Sequence, residues 1–373
     1  MRIGITCYPT YGGSGAVATE LGMALAQRGH EVHFITYKLP FRLQAFLPRV
    51  HFHEVDVGKY PLFEYPPYDL ALAVRMHEVV RDHHLEILHC HYAIPHATSA
   101  WITKEMLKRE GADIAVVTTL HGTDITIVGQ DRSFFEITRF GIERSDGVTA
   151  VSDFLKRMTV EEFHPGKPIE TIPNFVDLQS YPTERPDRSA YAGPGQKVLL
   201  HISNFRPVKR ILDVVRIFER VTREVDAVLL MVGEGPERSS AQALGRRLGL
   251  QNRLHFLGIH PQVEEIVGMA DVFLLPSELE SFGLSALEAM ACSVPVIGSD
   301  AGGLPEVVKH AESGYLLPVG DVEGMAARTI EILKDDERRV EMGRAGRCRV
   351  EALFGADRVV SQYERFYEKV MKA

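Results

Sequence analysis

Glu280 and Glu288 stand eight positions apart in the stretch Pro276-Ser-Glu-Leu-Glu-Ser-Phe-Gly-Leu-Ser-Ala-Leu-Glu-Ala-Met-Ala291. The apolar run before it, 272–275, predicts a strand. The polar residues that follow predict a loop holding Glu280, and Gly283 marks the start of a helix that carries Glu288. A helix start after a strand offers an anion unpaired N–H groups and the positive end of the helix dipole. Two carboxylates beside such an anion can work as an acid/base pair. They can also bind, one to sugar hydroxyls and one to a ribose, and that second use describes a nucleotide-sugar site.

A cationic cluster is the natural counterpart of a diphosphate. Arg206, Lys209 and Arg210 follow the apolar run 197–203 in Ser203-Asn-Phe-Arg-Pro-Val-Lys-Arg210. Arginine grips phosphate oxygens at two points and lysine supplies a point charge. Cations at a helix start oppose the dipole, which argues for a ligand there rather than a solvated surface. Gly12-Gly-Ser-Gly15 after the first strand can bring backbone close to a phosphate. It also fits a dinucleotide fingerprint, but the second strand ends Thr36-Tyr37-Lys38 and lacks the acidic residue that would hold a ribose. Leu120-His-Gly-Thr-Asp124 ends a buried strand, where His121 and Asp124 are expected to point into a cleft. His89 and His91 resemble a metal pair; they are expected on alternate faces of a strand, with no third ligand evident. Ser299-Asp-Ala-Gly-Gly-Leu-Pro-Glu306 is a further glycine turn, read equally as a wall of the Glu280 site or as a plain connection.

The elements that must position these residues alternate strand and helix along the chain. The first strand covers 3–7, a helix spans 16–28 with Gly29 as its C-terminal cap, and the second strand covers 31–37. Later strands end at Cys90, Leu120 and Ala150. The pattern breaks near 172–177 and in the Pro- and Gly-rich stretch 182–195, then resumes at Lys197. The expected fold is α/β, with two parallel-sheet Rossmann-like domains facing a cleft. We place an N-terminal domain at 1–175, a C-terminal domain at 176–355, and a last helix, 356–373, packing back on the first domain.

Composition bounds the classes. The chain has 373 residues, 45% hydrophobic and 25% charged, which is ordinary for a soluble globular protein. A net charge of −8 argues against nucleic acid as a partner. Cys7, Cys90, Cys292 and Cys348 form no Cys-x-x-Cys pair, and are read as small buried hydrophobes in a reducing compartment. No signal peptide and no apolar run of about 20 residues is found, so the expectation is a cytoplasmic protein without stable membrane association. The oligomeric state, a homo-oligomer included, stays open.

Taken in order, the glycine turn at 12–13, His121, Lys209, the Glu280/Glu288 pair and Gly302-Gly303 resemble the retaining family 4 glycosyltransferases over nearly the whole chain. The resemblance implies the GT-B architecture. It implies that Glu288 binds the nucleotide ribose, and that Glu280 with the backbone at Phe282, Gly283 and Leu284 holds the donor sugar. Arg206 and Lys209 would take the diphosphate beside Gly13, and His121 would meet the sugar near the reacting carbon. Many members carry an arginine where this chain has Asn204; here an arginine stands at 206 instead.

Finer agreement, at 3–15, 40–43, 65–70, 91–92, 118–125 and 201–210, is with members that join N-acetylglucosamine from UDP-GlcNAc to L-malate, the first step of bacillithiol synthesis. On that resemblance UDP-GlcNAc is the donor substrate, L-malate the acceptor, and no cofactor or metal is required. Ser14, Tyr92, Thr119, Arg139 and Asn204 are the candidates for the acceptor site, since a malate dianion needs cations or several donors.

Three other readings are kept. One retains the fold with a lipid or sugar acceptor, prompted by the basic and apolar mixture at 38–47. Another is a two-lobed solute-binding protein, opposed by the missing secretion signal. The third, a nicotinamide dehydrogenase, lacks the acidic ribose residue.

Overall fold

Apolar runs rich in Val, Ile and Leu pair as parallel strands, and those in the middle of each sheet are buried on both faces, the pattern expected where helices cover a sheet on each side. In the computed structural model, residues 1–43, 46–58, 64–182 and 184–372 are described. They divide into one unit made of Met1–Pro173 with Asp357–Ala373, and a second made of Asn174–Ala356.

The first unit contains β1 (Arg2–Thr6), β2 (Glu31–Thr36), β3 (Val50–Glu54), β4 (Ile87–His91), β5 (Ala115–Leu120), β6 (Gly147–Ala150) and β7 (Ile169–Thr171). They form one sheet in the order β3-β2-β1-β4-β5-β6-β7. The second unit contains β8 (Lys197–Ile202), β9 (Ala227–Val232), β10 (Leu254–Gly258), β11 (Val272–Leu275), β12 (Val296–Ser299) and β13 (Gly314–Leu317). Its order is β10-β9-β8-β11-β12-β13. Each sheet is doubly wound, and its strand order reverses once, between β1 and β4 and between β8 and β11. Ligands bind at the carboxyl ends of strands beside such a reversal, because the two connecting loops diverge there and leave a crevice.

The terminal helix Ala356–Lys372 belongs to the first unit from Asp357 onward. Tyr363 and Tyr367 on it are fully buried, and the Tyr367 hydroxyl lies 2.7 Å from His89 Nδ1. Arg28, at the end of the helix Gly13–Gln27, binds Asp357 at 2.9 Å and Glu364 at 2.8 Å.

In the second unit Asp271, just ahead of β11, is 1% exposed. Its carboxylate accepts from Arg185 at 2.8 Å, Arg188 at 2.6 Å and the Val198 N–H at 2.8 Å. One buried acid thus pins the irregular entry segment to the start of β8.

Cys7 and Cys90 are buried and Cys292 partly so, whereas Cys348 is exposed. That corrects the expectation of four buried cysteines. On the helix Asp336–Leu353 the inward positions are Met342, Gly343, Gly346 and Val350, and Cys348 falls on the opposite face. Within 38–47, Gln44 and Ala45 lie outside the described residues; Arg42 turns inward to pair with Glu20 instead of facing outward. No helix among the described residues is long and apolar enough to cross a membrane.

Candidate active site

The loops after β8 and β11 flank the reversal of the second sheet, and they carry the cationic cluster and Glu280. Lys209 ends a short 3-10 turn, Pro207–Lys209, and its Nζ donates to Glu280 Oε1 at 2.6 Å. Ser277 Oγ donates to the same oxygen at 2.7 Å. Glu280 Oε2 is left without a described hydrogen-bond partner. The loops are further tied by the Glu278 N–H donating to the Val208 carbonyl at 2.8 Å. Beneath them His201 Nδ1 donates to the Leu274 carbonyl at 2.8 Å, so its Nε2 accepts from Ser203 Oγ, also at 2.8 Å. Burial pushes the His201 pKa down to about 4, which keeps the ring neutral in that role.

The three cations do not share one fate. Arg210 is held by Asp213 at 2.5 Å. Lys209 is shared with Glu280. Arg206 is exposed and makes no ion pair among the described residues, which leaves its guanidinium available to a phosphate. Asn204 is exposed beside it.

Glycine is required where backbone presses on this loop. A Cβ on Gly302 would lie 2.1 Å from the Glu280 carbonyl oxygen, and its φ is +64°. The neighbouring Gly303 N–H donates to that oxygen at 2.6 Å. The 302–303 turn therefore sets the height of Glu280, a wall of the site rather than a plain connection. Gly302→Ala is expected to lower kcat/KM for the donor about tenfold, from a displacement costing about 1–2 kcal/mol. Gly249→Ala is the control: its φ is +75° with open space around it, so it carries the backbone cost alone. Equal kcat/KM losses in the two variants would contradict this role.

Gly283 has φ +102° and caps the helix Leu284–Ala291 without a side chain of its own to bond the first-turn N–H groups. The Phe282 ring is buried and meets Phe354 edge-on at 5.7 Å, so only its backbone is on offer. Glu288 lies on the helix, 4% exposed, and accepts from the Tyr181 hydroxyl at 3.2 Å.

In the first unit the loops after β1 and β4 flank the reversal. Gly13 opens the helix Gly13–Gln27 and is exposed, with Ser14 partly so. The sterically required glycine is Gly15, where a Cβ would lie 2.5 Å from the Tyr8 carbonyl oxygen. Tyr92 has φ +100°, and its ring stands 5.3 Å from Tyr8 and 5.5 Å from His121. His121 Nε2 is 2.8 Å from His91 Nδ1. Burial, with the charge of His96 behind it, pushes the His121 pKa down to about 3. A neutral ring donates from one nitrogen and cannot serve as a cation.

Three expectations are corrected here. Asp124 does not point outward: it is 1% exposed and accepts from the N–H groups of Gly122 at 2.9 Å, Ala93 at 3.1 Å and His121 at 3.2 Å. It is a positioning residue for the His121 loop, and burial raises its pKa to about 6 against those three N–H groups. His89 and His91 share one face of β4, with rings 4.3 Å apart, because strand side chains repeat every second residue. Thr119 is fully buried, and its Oγ1 lies 2.7 Å from both His89 Nε2 and Thr149 Oγ1. It is one residue short of the strand end and serves the core.

Arg139 lies on the helix Phe135–Arg144 and pairs with Glu143 at 3.3 Å. It lines a surface hollow of about 490 Å³ with Ser133, Glu136, Ile137, Phe140 and Glu143. Sequence reasoning passed over Ser277 and Tyr181, which bond Glu280 and Glu288, and read His91 as half of a metal pair rather than as the partner of His121. Each lies far in sequence from its partner or carries no pattern of its own.

Comparison with known proteins adds a second line. A profile described as Glycosyltransferase Family 4 matches residues 11–180, and one described as Glycosyl transferases group 1 matches 184–349. The N-acetyl-alpha-D-glucosaminyl L-malate synthase of Bacillus anthracis is 50% identical over 375 residues, spanning 100% of this chain and 98% of the relative. The chain belongs to the family 4 glycosyltransferases. A phosphatidyl-myo-inositol mannosyltransferase of Mycolicibacterium smegmatis is 30% identical over 91% of this glycosyltransferase and 86% of its own length. Among solved structures, the Anabaena protein HepE in complex with UDP-glucose superposes with a TM-score of 0.81 at 17% identity, covering 99% of this chain and all of the other. A sucrose-phosphate synthase from Thermosynechococcus elongatus gives 0.79 at 23% identity, covering 100% and 99%. Those likenesses concern the fold, and the two Rossmann-like sheets of this glycosyltransferase are the GT-B architecture.

Proposed function

We propose that this glycosyltransferase moves N-acetylglucosamine from UDP-GlcNAc to the hydroxyl of L-malate with retention, giving α-GlcNAc-malate, the first step of bacillithiol synthesis. The full-length 50% identity to the Bacillus anthracis enzyme carries the reading. We place the reaction in the cytoplasm.

In the proposed mechanism the second domain holds the donor. Arg206 and Lys209 take the diphosphate with the backbone at Gly283 and Leu284. Glu280 accepts a sugar hydroxyl at Oε2, and Glu288 accepts from the ribose. The first domain offers Ser14, Tyr92 and Arg139 to the acceptor, and the second domain offers Asn204. The malate hydroxyl oxygen bonds to the anomeric carbon from the face that UDP leaves. The bond from that carbon to the diphosphate oxygen breaks, and its electron pair departs with UDP. The hydroxyl proton passes to the departing phosphate, so no side-chain base is needed. Preorganised cations and N–H groups stabilise the charge developing on that phosphate. His121, kept neutral, donates one hydrogen bond to the sugar near the reacting carbon.

Incubation with UDP-GlcNAc, with and without L-malate, tests the whole. UDP release that requires malate, together with a GlcNAc-malate product, is the expected result. Release that depends on a lipid or sugar acceptor instead would refute the assignment. Arg139→Ala is expected to raise the malate KM about tenfold with kcat little changed, since it removes a binding charge worth about 1.4 kcal/mol. Thr119→Val is expected to leave that KM unchanged while costing about 1–3 kcal/mol of stability through the stranded His89 and Thr149 groups.

A further inference from the structure

Four histidines converge on one edge of the first sheet, on strands that the sugar-transfer reading does not use. His33 lies on β2, and His51 and His53 on the edge strand β3. The parallel register sets His33 opposite His51. His83 ends the helix Tyr68–His83 and packs over them, its ring 4.6 Å from that of His33 and 5.0 Å from that of His53. His33 Nδ1 is 2.9 Å from His53 Nε2. One nitrogen each from His33, His53 and His83 lies within 4.8 Å of the other two.

We propose that His33, His53 and His83 bind a divalent transition-metal ion of the zinc type, at a site separate from the sugar-transfer centre. Three imidazoles with a water as fourth ligand suit such an ion. At metal–nitrogen distances of about 2.0–2.1 Å, tetrahedral ligands sit about 3.3–3.4 Å apart. Reaching that spacing requires opening the His33–His53 contact slightly and turning His83 inward. His83 is exposed at a helix end and free to turn, while His33 is 3% exposed and fixed.

The His33 Nδ1–His53 Nε2 hydrogen bond places one proton between the two nitrogens, and a bound ion would move it to that ring's other nitrogen. Charge around the site is mixed. Glu31 lies 3.0 Å from His51 Nε2, and Arg75 is engaged by Glu78 at 2.9 Å. A bound ion would fasten the edge strand β3 to β2 and to the helix end.

The test uses the tag-free full chain, stripped with chelator and titrated with Co2+. Expected are d–d absorption bands that saturate at one equivalent and vanish when Zn2+ is added. His83→Ala and His53→Ala should each weaken the affinity about tenfold or more. His83→Ala touches no core, and its far-UV circular dichroism should match the parent. The proposal is overturned by a folded chain that develops no band, or by affinity undiminished in both variants. It is also overturned if binding is lost in His30→Ala instead, because the Met1 amine and His30 Nδ1, 3.1 Å apart, are a competing pair of nitrogen donors.

Discussion

Lys209→Ala is expected to reduce malate-dependent UDP release about 10²–10³-fold, with the loss in kcat rather than in the donor KM. The leaving group is the largest charge the reaction generates, and Lys209 is the least exposed of the two cations assigned to it. Its Nζ stands 2.6 Å from Glu280 Oε1, on a loop braced by the Val208 carbonyl, so its position is set before substrate arrives. A lysine that merely tethers Glu280 would give a different pattern. Glu280→Gln would then cost as much as Lys209→Ala, and the double variant would be no worse than either. If Lys209 also meets the departing phosphate, its single effect exceeds that of Glu280→Gln. Lys209→Arg recovers only part of the rate, because the planar guanidinium cannot reproduce a point charge at that distance. Single-turnover UDP release measures the chemical step directly, and a loss below tenfold would remove Lys209 from the leaving-group role.

Asp271→Ala has the largest expected effect on stability, about 3 kcal/mol. Removing a buried acid from its partners costs about 3–5 kcal/mol, and the lower end applies because its two near partners, Arg185 and Arg188, are 37% and 22% exposed and can rehydrate, while Arg339, at 3.6 Å, keeps Asp336 at 3.0 Å. The Val198 N–H, left without its acceptor at the head of β8, adds to the loss. For a domain of this size each kcal/mol corresponds to about 2–4 °C, so Tm should fall about 6–12 °C. Burial by itself would raise the Asp271 pKa. Arg185, the Val198 N–H and Arg188 more than reverse it, and the folded pKa sits below the ordinary value. A depressed folded pKa stabilises above the unfolded pKa, and that stabilisation is lost as pH falls through the folded one. The Tm difference between parent and variant should therefore be full near neutrality and narrow on acidification. A Tm difference that does not change with pH would contradict the ion-pair origin.

Alternation of apolar strands with helices made the parallel sheets legible, because strands buried on both faces must be apolar at nearly every position. Gly283 as a helix start was legible too, from its place between a polar loop and an apolar run. The histidines show the limit of that reading. His89 and His91 were assigned to opposite faces although side chains two apart share one. The convergence of His33, His53 and His83 gave no local pattern, since it comes from three elements that are separate in sequence.

What the sequence determined by itself is the set of elements and the chemical types that follow the strand ends: a carboxylate at 280 in the loop and another at 288 on the next helix, cations at 206 and 209, and a histidine at 121. Local spacing encodes these. Tertiary structure alone decided how the groups are used. It spent Arg210 on Asp213, left Arg206 without an ion pair among the described residues, joined Lys209 to Glu280 across the β8–β11 reversal, turned Asp124 inward and sank Thr119 into the core. Those outcomes depend on which strands become neighbours and how deep each side chain lies. For Lys209 with Glu280 and for Thr119 with His89 the partners lie 71 and 30 positions apart, a separation at which residue spacing carries no signal.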